Sequence, residues 1–284
     1  MLPNTPVWHC GHYRLSLEMP LIMAIINVTP DSFSGDGLSG SVQAAMEQAE
    51  RAIQEGAKIL DVGGESSRPG AESVSVKEEL SRVIPVVEAL SRLGVPVSVD
   101  TVKPEVMKAA IAAGASIIND INALRSPGAL EVLADSEAGI CLMHMQGEPR
   151  TMQEAPTYTD VLGEVDGFLC HQLARVASAG IARERVCLDP GFGFGKALSH
   201  NLELFRGISH LKKYGLPLLV GVSRKRMLGD LTGRDITERM PAGIAAAVLA
   251  AQRGASILRV HDVAATRDAL AVWSAIDHDR TGVY

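Results

Sequence analysis

The stretch Leu21-Ile-Met-Ala-Ile-Ile-Asn-Val28 sets the pattern that decides the fold, because it is apolar throughout except for Asn27 near its end. A strand that is apolar on both faces is typical of a parallel sheet with helices on both sides. Seven more short aliphatic and β-branched runs follow along the chain. The eight runs are Leu21–Val28, Lys58–Val62, Pro96–Val99, Ala115–Ile118, Ile140–Met143, Val186–Leu188, Pro217–Val222 and Ser256–Val260.

Segments with helical spacing lie between most of these runs. One begins with Ser75-x-x-Glu78, a pattern typical of a capping box at a helix N-terminus, and Pro85 inside the same segment predicts a kink. The last segment, 263–276, is predicted to place three apolar residues on one helix face: Leu270, Trp273 and Ile276. Strands that alternate with helices indicate an α/β fold with a parallel sheet.

Every apolar run is followed by polar or charged side chains. In an open doubly wound sheet only the strands at the switch point lead into a site, whereas in a barrel all strand ends meet at one mouth. Eight polar strand ends therefore favour a single (β/α)8 TIM barrel over the open sheet. We expect the barrel to span residues 21–284, with residues 1–20 as an extension that covers its bottom.

Composition excludes several functional classes. The 284 residues carry 27 basic and 33 acidic side chains, and this mildly acidic balance argues against a nucleic-acid or membrane partner. The four cysteines show no C-x-x-C spacing, which is typical of reduced thiols in a cytosolic protein. No secretory signal and no apolar run of membrane-spanning length is visible, so we expect a soluble, cytoplasmic protein.

Several long motifs begin at or near the ends of the apolar runs. They are Asn27-Val-Thr-Pro-Asp31-Ser-Phe33-Ser, Asp61-Val-Gly-Gly-Glu65-Ser-Ser67-Arg68-Pro69-Gly70, Ser98-Val-Asp100-Thr101, Ile118-Asn119-Asp120-Ile121, Asp189-Pro-Gly-Phe-Gly193-Phe194-Gly-Lys196, Ser223-Arg-Lys225 and Arg259-Val-His261. These motifs resemble those of the dihydropteroate synthase family of pterin-binding TIM barrels. The resemblance covers residues 21–276.

This resemblance implies an enzyme that joins (7,8-dihydropterin-6-yl)methyl diphosphate to 4-aminobenzoate, giving 7,8-dihydropteroate and diphosphate for folate synthesis. It also implies an SN1-like loss of diphosphate assisted by Mg²⁺, a homodimer and a sulfonamide target. The arylamine nucleophile is unprotonated near neutral pH, so the reaction needs no strong general base. That requirement agrees with the lack of an obvious Ser/His/Asp or paired-carboxylate constellation.

The family's site residues carry over to three groups of positions. A pterin edge presents N–H donors beside a carbonyl, so a carboxylate, an amide and a cation suit it. By resemblance, the pterin site comprises Asp100, Asn119, Ile121, Met143, Asp189, Gly193, Lys225 and Arg259, and Arg259 would stack on the ring.

By the same resemblance, the diphosphate site comprises Asn27, Ser66, Ser67, Arg68, Arg259 and His261, with Asn27 also a ligand of Mg²⁺. The 4-aminobenzoate site comprises Phe33, Ser67, Arg68, Pro69, Phe194 and Lys225, under loops 29–41 and 63–76. The residues that would take part in catalysis are Asn27, Arg68, Lys225, Arg259 and His261.

The chain departs from the family pattern at two places. The first loop reads Ser34-Gly-Asp36-Gly, which shifts its carboxylate by one position, and Arg226 stands where many members have Ser. These departures leave open the role of each residue. They also leave open a pterin-binding chain without turnover, beside a second alternative, a folate-handling methyltransferase domain of the same barrel group.

Overall fold

The computed structural model describes residues 6–28, 37–65 and 73–278 of the chain. A short antiparallel hairpin, β1 (Val7–Cys10) and β2 (Tyr13–Ser16), precedes eight parallel strands that match the predicted runs to within two residues at either end. The parallel strands are β3 (Leu21–Asn27), β4 (Ile59–Gly63), β5 (Val97–Asp100), β6 (Ile117–Asp120), β7 (Gly139–Met143), β8 (Val186–Asp189), β9 (Leu219–Val220) and β10 (Ile257–Val260).

The parallel sheet closes on itself. Its strands follow chain order from β3 to β8, and β10 lies between β3 and β9. A parallel bridge between Leu188 and Leu218 then joins β8 to the residue before β9, and the N–H of Leu188 donates to the carbonyl of Pro217 over 2.9 Å. This pairing connects the two edges of the sheet, so the predicted (β/α)8 barrel is confirmed and the open sheet is excluded.

Helices surround the barrel and bury the outer faces of its strands. In the described residues they are α1 (Gly37–Glu55), α2 (Val76–Leu90), α3 (Pro104–Ala112), α4 (Ala129–Ala134), α5 (Val161–Ser178), α6 (Leu198–Gly207), α7 (Arg226–Thr232), α8 (Met240–Gln252) and α9 (Val263–His278). Within this part of the chain, no helix has the length and apolar character needed to cross a membrane.

Half of the predicted capping box forms at the start of α2. The Ser75 hydroxyl accepts the N–H of Glu78 over 3.2 Å, as predicted. The Glu78 carboxylate, however, pairs with Arg82 four residues along the helix. Pro85 lies inside the same helix, which continues to Leu90.

The hairpin lies against the end of the barrel where the strands begin. Trp8 is fully buried, and its indole N–H donates to the carbonyl of Arg185 over 2.9 Å. Trp8 and Cys10 belong to a buried cluster with residues near the strand starts: Met23, Ile59, Ile117, Cys141, Cys187, Leu219 and Ile257. All four cysteines are free thiols, and three of them, Cys10, Cys141 and Cys187, are buried in this cluster.

The prediction for the last helix is wrong at one position. Leu270 is fully buried and Trp273 is 9% exposed, but Ile276 is 76% exposed. Each residue advances about 100° around an α-helix, so residues three apart drift by about 60°. Ile276 therefore lies about 120° from Leu270 and faces outward.

Candidate active site

Arg259 lies at the centre of a buried ionic cluster inside the barrel mouth. Its Nε donates to Oδ2 of Asp61 over 2.6 Å, and its Nη2 donates to Oδ2 of Asp100 over 3.1 Å. The Asp61 oxygen also lies 3.4 Å from the side-chain amide nitrogen of Asn119. The four residues come from β10, β4, β5 and β6, which only the closed barrel brings together.

The charges in this cluster depend on one another. Burial disfavours the Arg259 guanidinium, but Asp61 and Asp100 outweigh that effect and raise the pKa of Arg259. Burial also raises the pKa of Asp100 from 3.8 to about 7, against the opposing influence of Arg259 and with that of Asp61. Among the described residues, the Asp61 oxygen Oδ1 is buried without a hydrogen-bond partner. The cluster therefore contains one unsatisfied acceptor in this part of the structure.

Asp189 and Lys225 form a second polar group from β8 and from the segment after β9. Burial raises the pKa of Asp189, while Lys225 acts to lower it. Burial lowers the pKa of Lys225 to about 8, with Asp189 acting in the opposite direction. The Lys225 ammonium donates to the carbonyl of Phe192 and lies 4.4 Å from the centre of the Phe194 ring. One cation thus contacts both a backbone acceptor and an aromatic wall.

An apolar surface accompanies these polar groups. Ile121 and Met143 are buried beside Met145 and Met152, and Phe194 packs against the same cluster. A flat heteroaromatic ring needs such a surface for its faces and the polar groups for its edge. The arrangement is suited to a ring of that kind.

His261 directly follows β10 and lies next to Ser223. The Ser223 hydroxyl lies 3.0 Å from His261 Nδ1 and accepts the backbone N–H of His261 over 3.3 Å. Arg224, which follows Ser223 in the chain, has a φ of 58°, which is uncommon outside glycine. Its guanidinium pairs with Asp262 at 2.6 Å, and its carbonyl accepts from Arg239. These contacts stabilise the unusual backbone that leads to Lys225.

Among the predicted residues that it describes, the structure brings together Asp100, Asn119, Asp189, Lys225 and Arg259. Asn27 ends β3 and pairs in register with Gly63 of β4, but its side chain lies outside the described part of the structure. The predicted loop residues fall in undescribed segments of the chain: Phe33, Asp36, Ser66, Ser67, Arg68 and Pro69. Arg226 is described, and its side chain is 85% exposed and faces Asp230 at 3.6 Å, one helical turn along α7. It therefore points away from the buried cluster.

Two buried side chains were not predicted as site residues. Asp61 is the only charged residue within the apolar strand Ile59–Gly63, and that contrast is a signal visible in the sequence. Lys196 is 2% exposed behind the site and contacts His144. Its hydrogen-bond partners lie 2, 5 and 52 positions away along the chain, and no local pattern indicates the most distant one, His144.

The pKa of Asp100 predicts a pH-dependent effect on stability. Because this pKa is raised, the folded chain holds a proton between about pH 4 and about pH 7 that the unfolded chain has lost. The contribution of Asp100 to stability is therefore complete below about pH 4 and is lost as the pH rises towards 7. For Asp100→Asn, we expect the unfolding free energy to rise relative to wild type over this range and then to level off. Urea unfolding of both proteins from about pH 5 to about pH 8 measures this, and parallel pH profiles would contradict it.

Comparison with known proteins identifies the family. The profile of the family described as "Pterin binding enzyme" matches residues 23–261. The barrel and its buried polar mouth thus define the class, a pterin-binding enzyme on a (β/α)8 scaffold. The dihydropteroate synthase of Escherichia coli K12 is 54% identical over 262 residues, covering 92% of this chain and 93% of that protein. The chain belongs to the dihydropteroate synthase family, as its motifs predicted.

Two solved structures agree with this assignment. Dihydropteroate synthase from Xanthomonas albilineans with 4-aminobenzoic acid is 50% identical, with a TM-score of 0.91 and coverage of 97% of this chain and 99% of that one. The enzyme from the same organism in complex with 7,8-dihydropteroate is 49% identical, with a TM-score of 0.88 and coverage of 96% and 99%. The likeness therefore extends over the whole barrel.

Proposed function

We propose that this chain condenses (7,8-dihydropterin-6-yl)methyl diphosphate with 4-aminobenzoate, forming 7,8-dihydropteroate and diphosphate. The observation that carries this proposal is the convergence of Asp100, Asn119, Asp189, Lys225 and Arg259 in one buried mouth. Buried polar groups of this kind favour a ligand that pairs with all of them, because any other ligand leaves them unsatisfied. A pterin edge offers the matching donors and acceptor.

We assign the roles within the pterin site from this convergence together with the family resemblance. The Asp189 carboxylate accepts from the ring's N–H donors, and Asn119 and Lys225 serve the neighbouring acceptor and donor atoms. Asp100 lies on the other side of the ring, and Arg259, held by Asp61 and Asp100, offers its planar guanidinium for stacking. Ile121, Met143 and Gly193 contact the ring faces.

The chemical step separates diphosphate from the pterin methylene carbon. The C–O bond breaks, diphosphate keeps the electron pair, and the positive charge spreads into the pterin ring. The amine nitrogen of 4-aminobenzoate then forms the new C–N bond and loses a proton to water. Arg259 and His261, with Asn27, Ser66, Ser67 and Arg68, stabilise the charge of the departing diphosphate. Phe33, Pro69, Phe194 and Lys225 hold the second substrate, together with Ser67 and Arg68.

Mg²⁺ is the cation that we propose to accompany the diphosphate. Over residues 6–28, 37–65 and 73–278, no three His, Cys, Asp or Glu side chains converge in a way that could hold a metal. Mg²⁺ commonly keeps several waters and binds through one or two protein groups plus substrate phosphates. Asn27 at the end of β3 would be the protein ligand, on the strand that pairs with the Arg259 strand. When bound, the ion would neutralise part of the diphosphate charge.

Turnover tests the proposal directly. Purified protein with Mg²⁺ and both substrates should release diphosphate and form 7,8-dihydropteroate in equal amounts. A reaction without 4-aminobenzoate should form none of this product, and a sulfonamide should inhibit the complete reaction. Pterin binding without turnover would instead indicate a chain that binds but does not catalyse, and tighter binding of methyltetrahydrofolate would favour a methyltransferase.

We propose that the enzyme is a homodimer whose subunit interface is formed by the last two helices, α8 and α9. Leu249 on α8 is 44% exposed, and on α9 Val272 and Ile276 are 61% and 76% exposed. Apolar side chains grouped on adjacent helices are typical of a subunit interface. Sedimentation velocity should give a dimer, which Ile276→Glu weakens and the distant hairpin variant Val7→Glu does not. A wild-type monomer would contradict this.

The partners of the chain are then these two small molecules and its own second copy, with no nucleic acid or membrane. We place it in the cytoplasm, and the four free thiols support that placement, because reduced cysteines persist in reducing compartments.

A further inference from the structure

The segment after β8 is a tightly anchored loop that we name the glycine loop, residues Gly191–Gly195. Its three glycines have φ values between 60° and 77°, a region that side chains rarely adopt. A Cβ on Gly191 would lie 1.8 Å from the carbonyl oxygen of His144, and one on Gly195 would lie 2.2 Å from that of Gln146. The loop therefore lies directly against the segment that follows β7.

Lys196 holds this loop from the side that faces away from the mouth. The side chain is 2% exposed, and its Nζ contacts three acceptors. It donates to the carbonyls of Gly191 over 2.9 Å and Phe194 over 3.1 Å, and it lies 2.9 Å from His144 Nδ1. The Tyr158 hydroxyl adds a bond of 2.8 Å to the carbonyl of Gly195.

Two arrangements of protons satisfy the groups around Lys196. Burial and the nearby Lys196 lower the pKa of His144 to about 3, so its ring is neutral. An ammonium with three N–H donors would donate to both carbonyls and to an unprotonated Nδ1 of His144. A neutral amine, which burial favours by lowering the pKa of Lys196 to about 7, would donate to both carbonyls and accept from a protonated Nδ1. In both forms Lys196 donates to the carbonyls of Gly191 and Phe194.

The same loop carries groups that belong to the mouth. Its Phe192 carbonyl accepts from Lys225, and its Phe194 ring lies under the Lys225 ammonium at 4.4 Å. Two lysines thus bind neighbouring carbonyls of one short loop, Lys225 at the mouth and Lys196 on the buried side. A shift of the loop would move Phe194 and Lys225 together. Asn119 lies on a strand of the barrel, whereas Asp189 also contacts the loop, because its Oδ1 accepts the N–H of Gly191 over 2.7 Å.

We propose that Lys196 is a positioning residue for the second substrate: its amino group donates to the Gly191 and Phe194 carbonyls and thereby sets the place of the Phe194 ring. The inference rests on the proposed function, since Phe194 is assigned to 4-aminobenzoate there. Within the described residues Lys196 makes no hydrogen bond to Asp189 or Lys225, and its influence on Asp189 is electrostatic.

The test is a comparison of Lys196→Met, whose side chain is one atom shorter and has no donors, with wild type. The Gly191 carbonyl keeps the N–H of Phe194, so the Phe194 carbonyl loses its donor. We expect the KM for 4-aminobenzoate to rise about tenfold for this unsatisfied acceptor, and the affinity for the pterin diphosphate by calorimetry to fall by a smaller factor. Lys196→Arg keeps the charge but spreads its donors in a plane, and it should recover part of the loss. Lys108→Met, an exposed lysine on α3, is the matched control and should behave as wild type.

The outcomes are distinguishable. Unchanged KM for 4-aminobenzoate in Lys196→Met, or equal losses for both substrates, would overturn this inference alone. If Lys196→Met does not fold, Tyr158→Phe decides, because it removes only the bond to the Gly195 carbonyl: a two- to fourfold rise in the same KM supports the inference and an unchanged KM overturns it. A wild-type chain that releases no diphosphate would overturn the proposed function together with it.

Discussion

Arg259→Met should abolish detectable turnover and also destabilise the fold. The guanidinium is the hydrogen-bond partner of two buried carboxylates, Asp61 and Asp100, which lie on different strands. Removing one member of a buried ionic cluster typically costs about 3 to 5 kcal/mol, because the remaining charges stay buried without a partner. The variant also loses the planar cation assigned to the pterin ring and the diphosphate.

Urea unfolding and diphosphate release measure the two effects separately. Arg259→Lys keeps the charge but lacks the fork that reaches both carboxylates, so it should recover stability more than turnover. Arg206→Met, an exposed arginine on α6, is the control and should change the unfolding free energy by less than about 0.5 kcal/mol. If the unfolding free energy of Arg259→Met were within about 1 kcal/mol of the wild-type value, the two buried carboxylates would not need Arg259 for stability, and this prediction would be wrong.

Asp189→Asn should reduce pterin affinity by about 100-fold or more, with the fold retained. The substitution preserves shape but replaces a charged acceptor with an amide, whose NH₂ group meets the ring's own N–H donors. A charged hydrogen bond is worth about 1.5 to 3 kcal/mol, and the facing donors add to the loss. Calorimetry with the pterin diphosphate measures the affinity.

Asp120→Asn provides the matched control for Asp189→Asn. Asp120 is also a buried carboxylate at a strand end, but its two oxygens accept the N–H groups of Asn122 and Leu124, each over 2.7 Å. It therefore serves its own loop, and its replacement should lower stability by about 1 to 3 kcal/mol while changing pterin affinity far less. If both variants lost pterin affinity equally, the assignment of Asp189 to the ring would be wrong.

The sequence predicted the barrel because each strand carries its own signal, an apolar run followed by a polar end. Asp100, Asn119, Asp189 and Arg259 could be placed at one mouth on that basis, since a closed sheet leaves their strand ends no other meeting point. The motif resemblance supplied the finer assignments. The hydrogen-bond partners of the Asp100, Asn119 and Arg259 side chains, however, are distant along the chain, so no local sequence pattern indicates them.

The pairings that the sequence did not predict are non-local. Arg259 binds Asp61 across 198 positions, and Lys196 meets His144 across 52. The sequence does not decide whether the Arg226 side chain, which follows Lys225, faces the site or the solvent. In the structure it faces solvent and Asp230. Ile276 faces outward because two successive steps of three residues turn it about 120° around the helix from Leu270.

The closure between β8 and β9 also affects how the barrel fluctuates. In the described strands, β9 has two residues, and its sheet pairing with β8 consists of the bridge between Leu188 and Leu218. This seam is the weakest part of the cylinder, so transient opening and amide hydrogen exchange should begin there. Asp189 ends β8 and Lys225 follows β9, so transient separation of these two strands in the enzyme without ligand would first increase the distance between Asp189 and Lys225. A ligand that binds both groups would hold β8 and β9 together and slow amide hydrogen exchange along both strands.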